Sequence, residues 1–515
     1  MLLRNIFLKF LTASSLFSLS FSLSIPEQNQ HEKGTLVERQ TGARAVFAHF
    51  MVGIVAAYDQ SHWEADCRAA KAIGIDAFAL NIGKDDYNDK QLGFAYAAGE
   101  VTGFKMFISF DFVYWNSGDS ATIASYLRTY GNKAAAYKYN NAVFVSTFIG
   151  DNAVDWNSIG SQAGLTLYAC PNWQPGSLGN VQCGFSWDAW PSSNNQPINS
   201  NKTTATDVAY KNTGKPYMMP VSPWFYTHYG ADTYNKNWIF YSDWLWNTRW
   251  DQVLSVGPQF VEIITWNDFG ESHYIGPLHP DLPQVYAPNG QDNGAKKWVA
   301  DMPHDGWQDV AKPYITAFKN GASAPTVSTE EIVYYYRTSP KSAACNDAVG
   351  RPTGADFDAD EVFATVLVTA TSNVVITSGS NTVTRTVSSG IHTVSGPMGV
   401  GTQSFQVQRN GVNVLSGTSP KQITSTCQNS AQPYNAYVGT IKSNGGTTPP
   451  TGGTATIIFN VVATTVFGEN IFLTGSIAEL SSWDPWTAVG PLTNPHYPTW
   501  TVTVTVPANT AIQYK

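Results

Sequence analysis

Asp268 and Glu271 stand three residues apart just after an apolar run, FVEIITWNDF (260 to 269), with Gly270 between them to permit a sharp turn. Cleaving a glycosidic bond needs two carboxyls, one protonated to release the leaving oxygen and one ionised to act as base or nucleophile. This pair can supply both. The spacing alone recurs by chance, and a pair that merely holds a turn or a salt bridge is the competing explanation. Position at a strand end, beside Trp266, Asn267 and His273, favours chemistry. Asp111, closing the alternating run FISFDF, is a third candidate catalytic carboxyl, with helix capping as an equally good alternative. No GxSxG elbow supports serine nucleophile chemistry. The 9 His show no HxH or HExxH and the 5 Cys no CxxC spacing, so no metal or cofactor is expected.

The elements that must position these residues are short apolar runs ending in polar or aromatic side chains. They are VFAHFMVGIV (46 to 55), DAFALNIG (76 to 83), KMFISFDF (105 to 112), AVFVSTFIGD (142 to 151), LTLYACPNW (165 to 173), CGFSWDAW (183 to 190), YMMPVSPWFY (217 to 226) and FVEIITWNDF. Amphipathic patterns such as HWEADCRAAKAIG and QLGFAYAAGEVTG fill the early intervals and close on Gly, as helix C-termini do. Eight such units predict an α/β fold, a (β/α)8 barrel over 43–325. The fifth and sixth runs lie so close together that one crossover is expected to lack a normal helix.

Active sites of such barrels lie at the C-terminal strand ends. Those positions hold His49, Asn81, Asp111, Asp151, Asn172, Trp187, Asp188, Trp224, Tyr226, His228, Trp266, Asn267, Asp268, Glu271 and His273. Lys and Arg are nearly missing from them, which argues against phosphate or carboxylate substrates. A neutral polyhydroxylated ligand fits, because indole and phenol faces stack on sugar C–H faces while amides, carboxylates and imidazoles bond hydroxyls. Composition agrees. Charged residues make up 13% of the chain, no more than the aromatics, and the net charge is −8, so neither nucleic acid nor an anionic membrane is an expected partner.

From about 326 to 440 the texture becomes period-2 alternation between Gly, Ser and Asn turns, as in EEIVYYYR and GTQSFQVQRNGVNVLSG, which predicts an antiparallel β-sandwich. A Gly/Thr/Pro linker (441–454) precedes a last alternating segment, 455–515. At the N-terminus, Arg4 and Lys9 precede an apolar stretch from Phe10 to Leu23, as in a secretory leader cleaved near Ser22 to Ser24. A propeptide or disordered segment (25–42) follows. A secreted, monomeric protein free of the membrane after cleavage is expected. In that oxidising setting Cys170 pairs with Cys183, and Cys345 with Cys427 across the sandwich, leaving Cys67 as a buried thiol. Asn201-Lys202-Thr203 is a glycosylation sequon.

HFMVGIV, GIDAFALNIG, FISFDF, PVSPWFYTHYG, KNWIF, VEIITWNDFGESHYIGPL and WVADMPHDGW, in that order, resemble fungal glycoside hydrolase family 71, the α-1,3-glucanases or mutanases, over about 43 to 438. The resemblance implies endo-hydrolysis of α-1,3-glucan with inversion. Asp268 and Glu271 match the family's acid and base, and Asp111 would support or position the water. Inversion implies carboxyls roughly 6.5–9.5 Å apart, against about 5–5.5 Å for retention. Which is the acid stays open; the longer reach of Glu271 favours it.

The terminal segment resembles the start of a starch-binding module, carbohydrate-binding module family 20. Trp483 and Lys515 match one sugar site, and Phe467 and Tyr497 the second, with Phe467 where a tyrosine is usual. The chain ends after QYK, so the module is expected to be truncated. Two alternatives accompany the family expectation: an α-1,4-glucan hydrolase, suggested by this segment, and a non-catalytic wall-binding protein that keeps the cleft for attachment.

Overall fold

The computed structural model describes residues 43–515 except 194–195, 198–203, 280, 287–293, 428–430, 444–453, 467, 484–487 and 508–511. The expected leader and propeptide, most of the linker, Asn201 and Phe467 lie outside the described residues.

Eight parallel strands arise where the apolar runs stand: β1 (Ala45–Met51), β2 (Ala77–Ile82), β3 (Lys105–Asp111), β4 (Ala142–Phe148), β5 (Leu167–Pro171), β6 (Gly184–Phe185), β7 (Tyr217–Val221) and β8 (Phe260–Ile263). They are buried almost throughout, as strands covered on both faces must be. Among the described residues, seven α-helices of eight or more residues flank them: α1 (Gln60–Ala72), α2 (Asn88–Thr102), α3 (Ser120–Tyr130), α4 (Trp156–Ala163), α5 (Thr204–Lys211), α6 (Leu245–Val256) and α7 (Gly306–Lys319). Asp59 caps α1 by accepting the Ser61 and His62 amides, and α2 stops at Gly103, whose φ of 66° is left-handed.

The ladders run β6-β7-β8-β1-β2-β3-β4-β5, so the sheet curls upon itself. Among the described residues no ladder joins β5 to β6. That seam is held differently. The Gln182 and Cys183 amides donate to the Ala169 carbonyl at 3.1 and 3.2 Å, the Gln182 side chain accepts the Ala169 amide, and a Cys170–Cys183 disulfide crosses the gap. The described strands therefore form a curled eight-strand parallel sheet with an unladdered seam between β5 and β6. The cause is local. The β5–β6 connection holds one 3-10 turn (Pro175–Ser177) and no α-helix, and β6 is too short to offer a ladder.

Inside the curl, Phe47, Phe107, Phe144 and Phe260 form an aromatic plug with ring centroids 4.7–5.7 Å apart. Two residues further along the same strands, on the same face, stand His49, Ser109, Ser146 and Glu262, joined by Asn81 on β2. The interior thus changes from apolar to polar within one layer.

Two four-stranded antiparallel sheets follow. One contains β9 (Glu331–Arg337), β10 (Glu361–Val368), β13 (Gly390–Pro397) and β16 (Ala436–Lys442). The other contains β11 (Ser372–Ser378), β12 (Asn381–Val387), β14 (Gln403–Arg409) and β15 (Val412–Thr418). Tyr334 and Phe405 stack across them at 4.5 Å within a shared core. The Cys345–Cys427 disulfide ties two of their loops, and Cys67 is a buried free thiol. Residues 454–515 form a three-stranded antiparallel sheet around Phe459, Leu473, Leu480 and Trp500. Among the described residues no helix is long and apolar enough to cross a membrane.

Candidate active site

Above the polar layer lies a cleft of about 430 Å3, walled by His49, Asn81, Asp111, Tyr114, Phe148, Trp187, Tyr229, Tyr234, Lys236, Asp268 and Glu271, with Val285 and Tyr286 opposing. A larger hollow of about 520 Å3 lies between α7 and the sandwich; of its charged residues, Asp309 and Lys442 are engaged with each other at 2.6 Å. It has no converging aromatic wall.

The turn after β8 builds the floor. The Asp268 amide donates to Thr265 Oγ1 at 2.8 Å, and Asp268 Oδ1 accepts the Glu271 amide at 3.1 Å, which folds the segment so that both carboxyls face one side. Gly270 is required there: a Cβ would lie 2.3 Å from Tyr229 Oη. His273, fully buried, bonds Thr265 Oγ1 through Nδ1 and lies 3.1 Å from Glu271 Oε2 and 3.9 Å from Asp268 Oδ2. Lys236 Nζ donates to Glu271 Oε1 at 2.7 Å.

These neighbours divide the pair. Burial, then the adjacent Glu271 charge, raises Asp268 above the usual carboxylate range. Burial pushes Glu271 the same way, but Lys236 and His273 outweigh it and hold that carboxyl at about 2. Asp111 is raised, chiefly by burial, while its Oδ1 accepts the Val113 amide. One oxygen each of Asp268 and Glu271 and a His273 nitrogen lie within 4.8 Å of one another, because both carboxyls spring from one tight turn.

A second cleft of about 440 Å3 adjoins the first and shares Phe148, Trp187, Lys236 and Glu271 with it; Asn172, Asp188, Trp190, Phe225 and Trp238 complete it. Tyr114 and Tyr234 stand exposed on the rim of the first cleft, and Lys236 sits at the junction. None of these three was singled out by sequence. Tyr114 and Tyr234 lie in turns beyond the strand ends, Lys236 opens a short strand (Lys236–Ile239) paired with Tyr226–Tyr229, and the KNWIF segment holding Lys236 was the only pointer.

Several expected sugar-binding residues stand elsewhere. Trp224 is 1% exposed, donates its indole N–H to the Tyr434 carbonyl and packs on Trp307 and Tyr335. Tyr226 donates to the Gln432 carbonyl, and His228 is held between Asn237 and Asp347. All three face the docked sandwich loops. Trp266 is buried against Phe78 in the layer outside the sheet. Asn267 clamps β1 by accepting the Met51 amide and donating to its carbonyl. Asp151 holds the β5–β6 connection through Gln174 and Ser177. Of the terminal segment, Trp483 and Tyr497 are exposed at 45% and 53%, and Lys515 pairs its backbone with Thr474.

A curled parallel sheet with a carboxyl pair divided in proton affinity at its C-terminal rim has the construction of a glycoside hydrolase. The Glycosyl hydrolase family 71 profile matches residues 42–450, and the chain belongs to that family. It is 42% identical over 419 residues to a mutanase of Penicillium rubens, covering 79% of this chain and 91% of that one. It is 38% identical to the glucan endo-1,3-alpha-glucosidase agn1 of Schizosaccharomyces pombe, covering 79% and 96%. Residues 454–515 match the Starch binding domain profile, and 73 residues are 51% identical to glucoamylase-1 of Schizophyllum commune, covering 14% of this chain and 12% of that one.

Proposed function

We propose that the protein is a secreted, endo-acting hydrolase of α-1,3-glucan, with an inverting mechanism carried over from its family. The observation that carries this is the meeting of Asp268 and Glu271, folded together by the Glu271 amide on Asp268 Oδ1, at the floor of a cleft walled by hydrogen-bonding groups and aromatic rings. Asp268 is assigned as acid, giving its proton to the leaving glucosyl oxygen, and Glu271 as the ionised partner. The adjoining second cleft lets a chain continue past the point of cleavage, which endo action requires. The curled sheet serves as a (β/α)8 barrel (43–325), the sandwich (326–440) covers one side of it, and the terminal segment (455–515) adds α-glucan affinity.

A second assignment concerns the water. Asp111 stands on the wall of the same cleft as Asp268 and Glu271 and is assigned as the group that helps hold the attacking water. NMR of the products formed from α-1,3-glucan in real time tests both levels. Expected are α-1,3-linked oligosaccharides appearing first as the β-anomer. Release of sugar from starch and none from α-1,3-glucan would overturn the substrate assignment, and α-anomers appearing first would overturn inversion.

A further inference from the structure

We propose that Glu262 is a positioning residue of the hydrolytic site and acts through His49. Glu262 is the single charge in the apolar strand β8 and is completely buried. Phe260, two residues before it, belongs to the aromatic plug, so Glu262 enters the sheet interior one layer higher. Its Oε1 lies 2.7 Å from Nδ1 of His49, whose side chain is 1% exposed. Its Oε2 has no hydrogen-bond partner among the described residues.

Stability alone does not account for such a group. A buried polar oxygen without a partner costs about 1–3 kcal/mol, and an apolar side chain of similar volume would fill the space without that cost. What the carboxylate does is order the imidazole. An ionised Glu262 only accepts, so it draws a ring proton to Nδ1, and a ring carrying that one proton keeps Nε2 as an acceptor. His49 forms the cleft wall with Asn81 and Asp111, and its ring meets Trp187 edge to face, centroids 4.7 Å apart.

His49 is also placed against the carboxyl turn. Its carbonyl accepts the Trp266 amide at 2.7 Å, and Asn267 Oδ1 accepts the amide of Met51 at 2.7 Å. The tip of β1 and the segment leading to Asp268 are therefore one hydrogen-bonded unit. In that frame Nε2 of His49 receives a hydroxyl of the glucosyl ring being cleaved, and Glu262 fixes the tautomer that makes this possible. The assignment rests on the glucan-binding role proposed for the cleft.

Nitrogen NMR of histidine-labelled full-length protein, with His49 assigned through H49Q, reads the tautomer without substrate. The expected result is a protonated Nδ1 and a bare Nε2 in the parent, reversed in Glu262→Leu and largely kept in Glu262→Gln, whose amide oxygen still accepts. On α-1,3-linked oligosaccharides, kcat of E262L should fall about 100-fold and that of E262Q about tenfold, with KM little changed. The double variant H49A/E262L should be no worse than H49A alone. An Nε2-protonated parent, a kcat for E262L within twofold of the parent, or multiplying losses in the double variant would each overturn the proposal. If E262L does not fold, the tautomer and kcat of E262Q decide. A parent inert on α-1,3-glucan would sink the proposed function instead and leave the tautomer result standing.

Discussion

Two stretches that leave neighbouring strands carry similar side chains and meet opposite fates. After β7 come Trp224, Tyr226 and His228; after β8 come Asp268, Glu271 and His273. In the first, the polar atoms are engaged mostly by the sandwich: the indole N–H by Tyr434, the phenol by Gln432, and the imidazole by Asp347 together with the neighbouring Asn237. Nothing is left for a ligand. In the second, the polar atoms compete. Lys236 and His273 favour the ionised Glu271, whose charge in turn helps keep the proton on Asp268. A saturated polar group stabilises a fold, whereas groups with opposed proton affinities in a cleft do chemistry.

That contrast breaks most visibly with Asp268→Asn and Glu271→Gln. Each should lower kcat by roughly 1,000-fold or more while thermal unfolding stays close to that of the parent. If either variant retained a tenth of the parent kcat, the β8 turn would be structural like its neighbour. Trp224→Ala is the mirror experiment. Emptying a site 1% exposed should cost about 3–5 kcal/mol in denaturant unfolding. The protein that remains folded should turn over at close to the parent rate, and a selective loss of kcat would return Trp224 to the site.

Lys236→Met sharpens the same contrast through pH. Glu271 is depressed to about 2, so it is ionised above that value and its contribution fades only as pH falls through it. Removing the ammonium withdraws one of the two groups that depress it. The Glu271 carboxyl then rises toward its ordinary range, and the acid limb of the kcat/KM profile should move to higher pH. The alkaline limb belongs to Asp268, which loses its proton as pH rises through its elevated pKa. An unmoved acid limb would remove Lys236 from the mechanism.

The eight strands and their order along the chain were legible because buried parallel strands are continuous apolar runs, and the carboxyl turn was legible because it interrupts one of them. Which strand ends stay open was not. Trp224 and Trp187 look alike in sequence, and only the docking of loops more than 100 residues later covers one and spares the other. The seam between β5 and β6 was visible only as a short interval; that a disulfide and a shared carbonyl would replace a ladder there depends on geometry. Glu262 escaped notice because it lies inside a strand rather than at its end. A lone charge within an apolar run is the signal that would have found it.

The smallest effect is expected in the terminal segment, where exposure separates a tryptophan on the sheet from one that closes a 3-10 turn. Trp500 is 4% exposed and donates its indole N–H to the Ala463 carbonyl, whereas Trp483 is 45% exposed with a φ of 69°. By the rule drawn from the two strand ends, Trp500 belongs to the core and Trp483 is available to stack on a sugar. Trp483→Ala should therefore leave hydrolysis of soluble oligosaccharides unchanged and weaken adsorption to granular starch by about fivefold, the loss of one stacking contact of about 1 kcal/mol. Sedimentation of the protein with starch granules measures it. Unchanged adsorption would mean that exposure in this segment does not mark a sugar site, and that the rule holds only for the catalytic sheet.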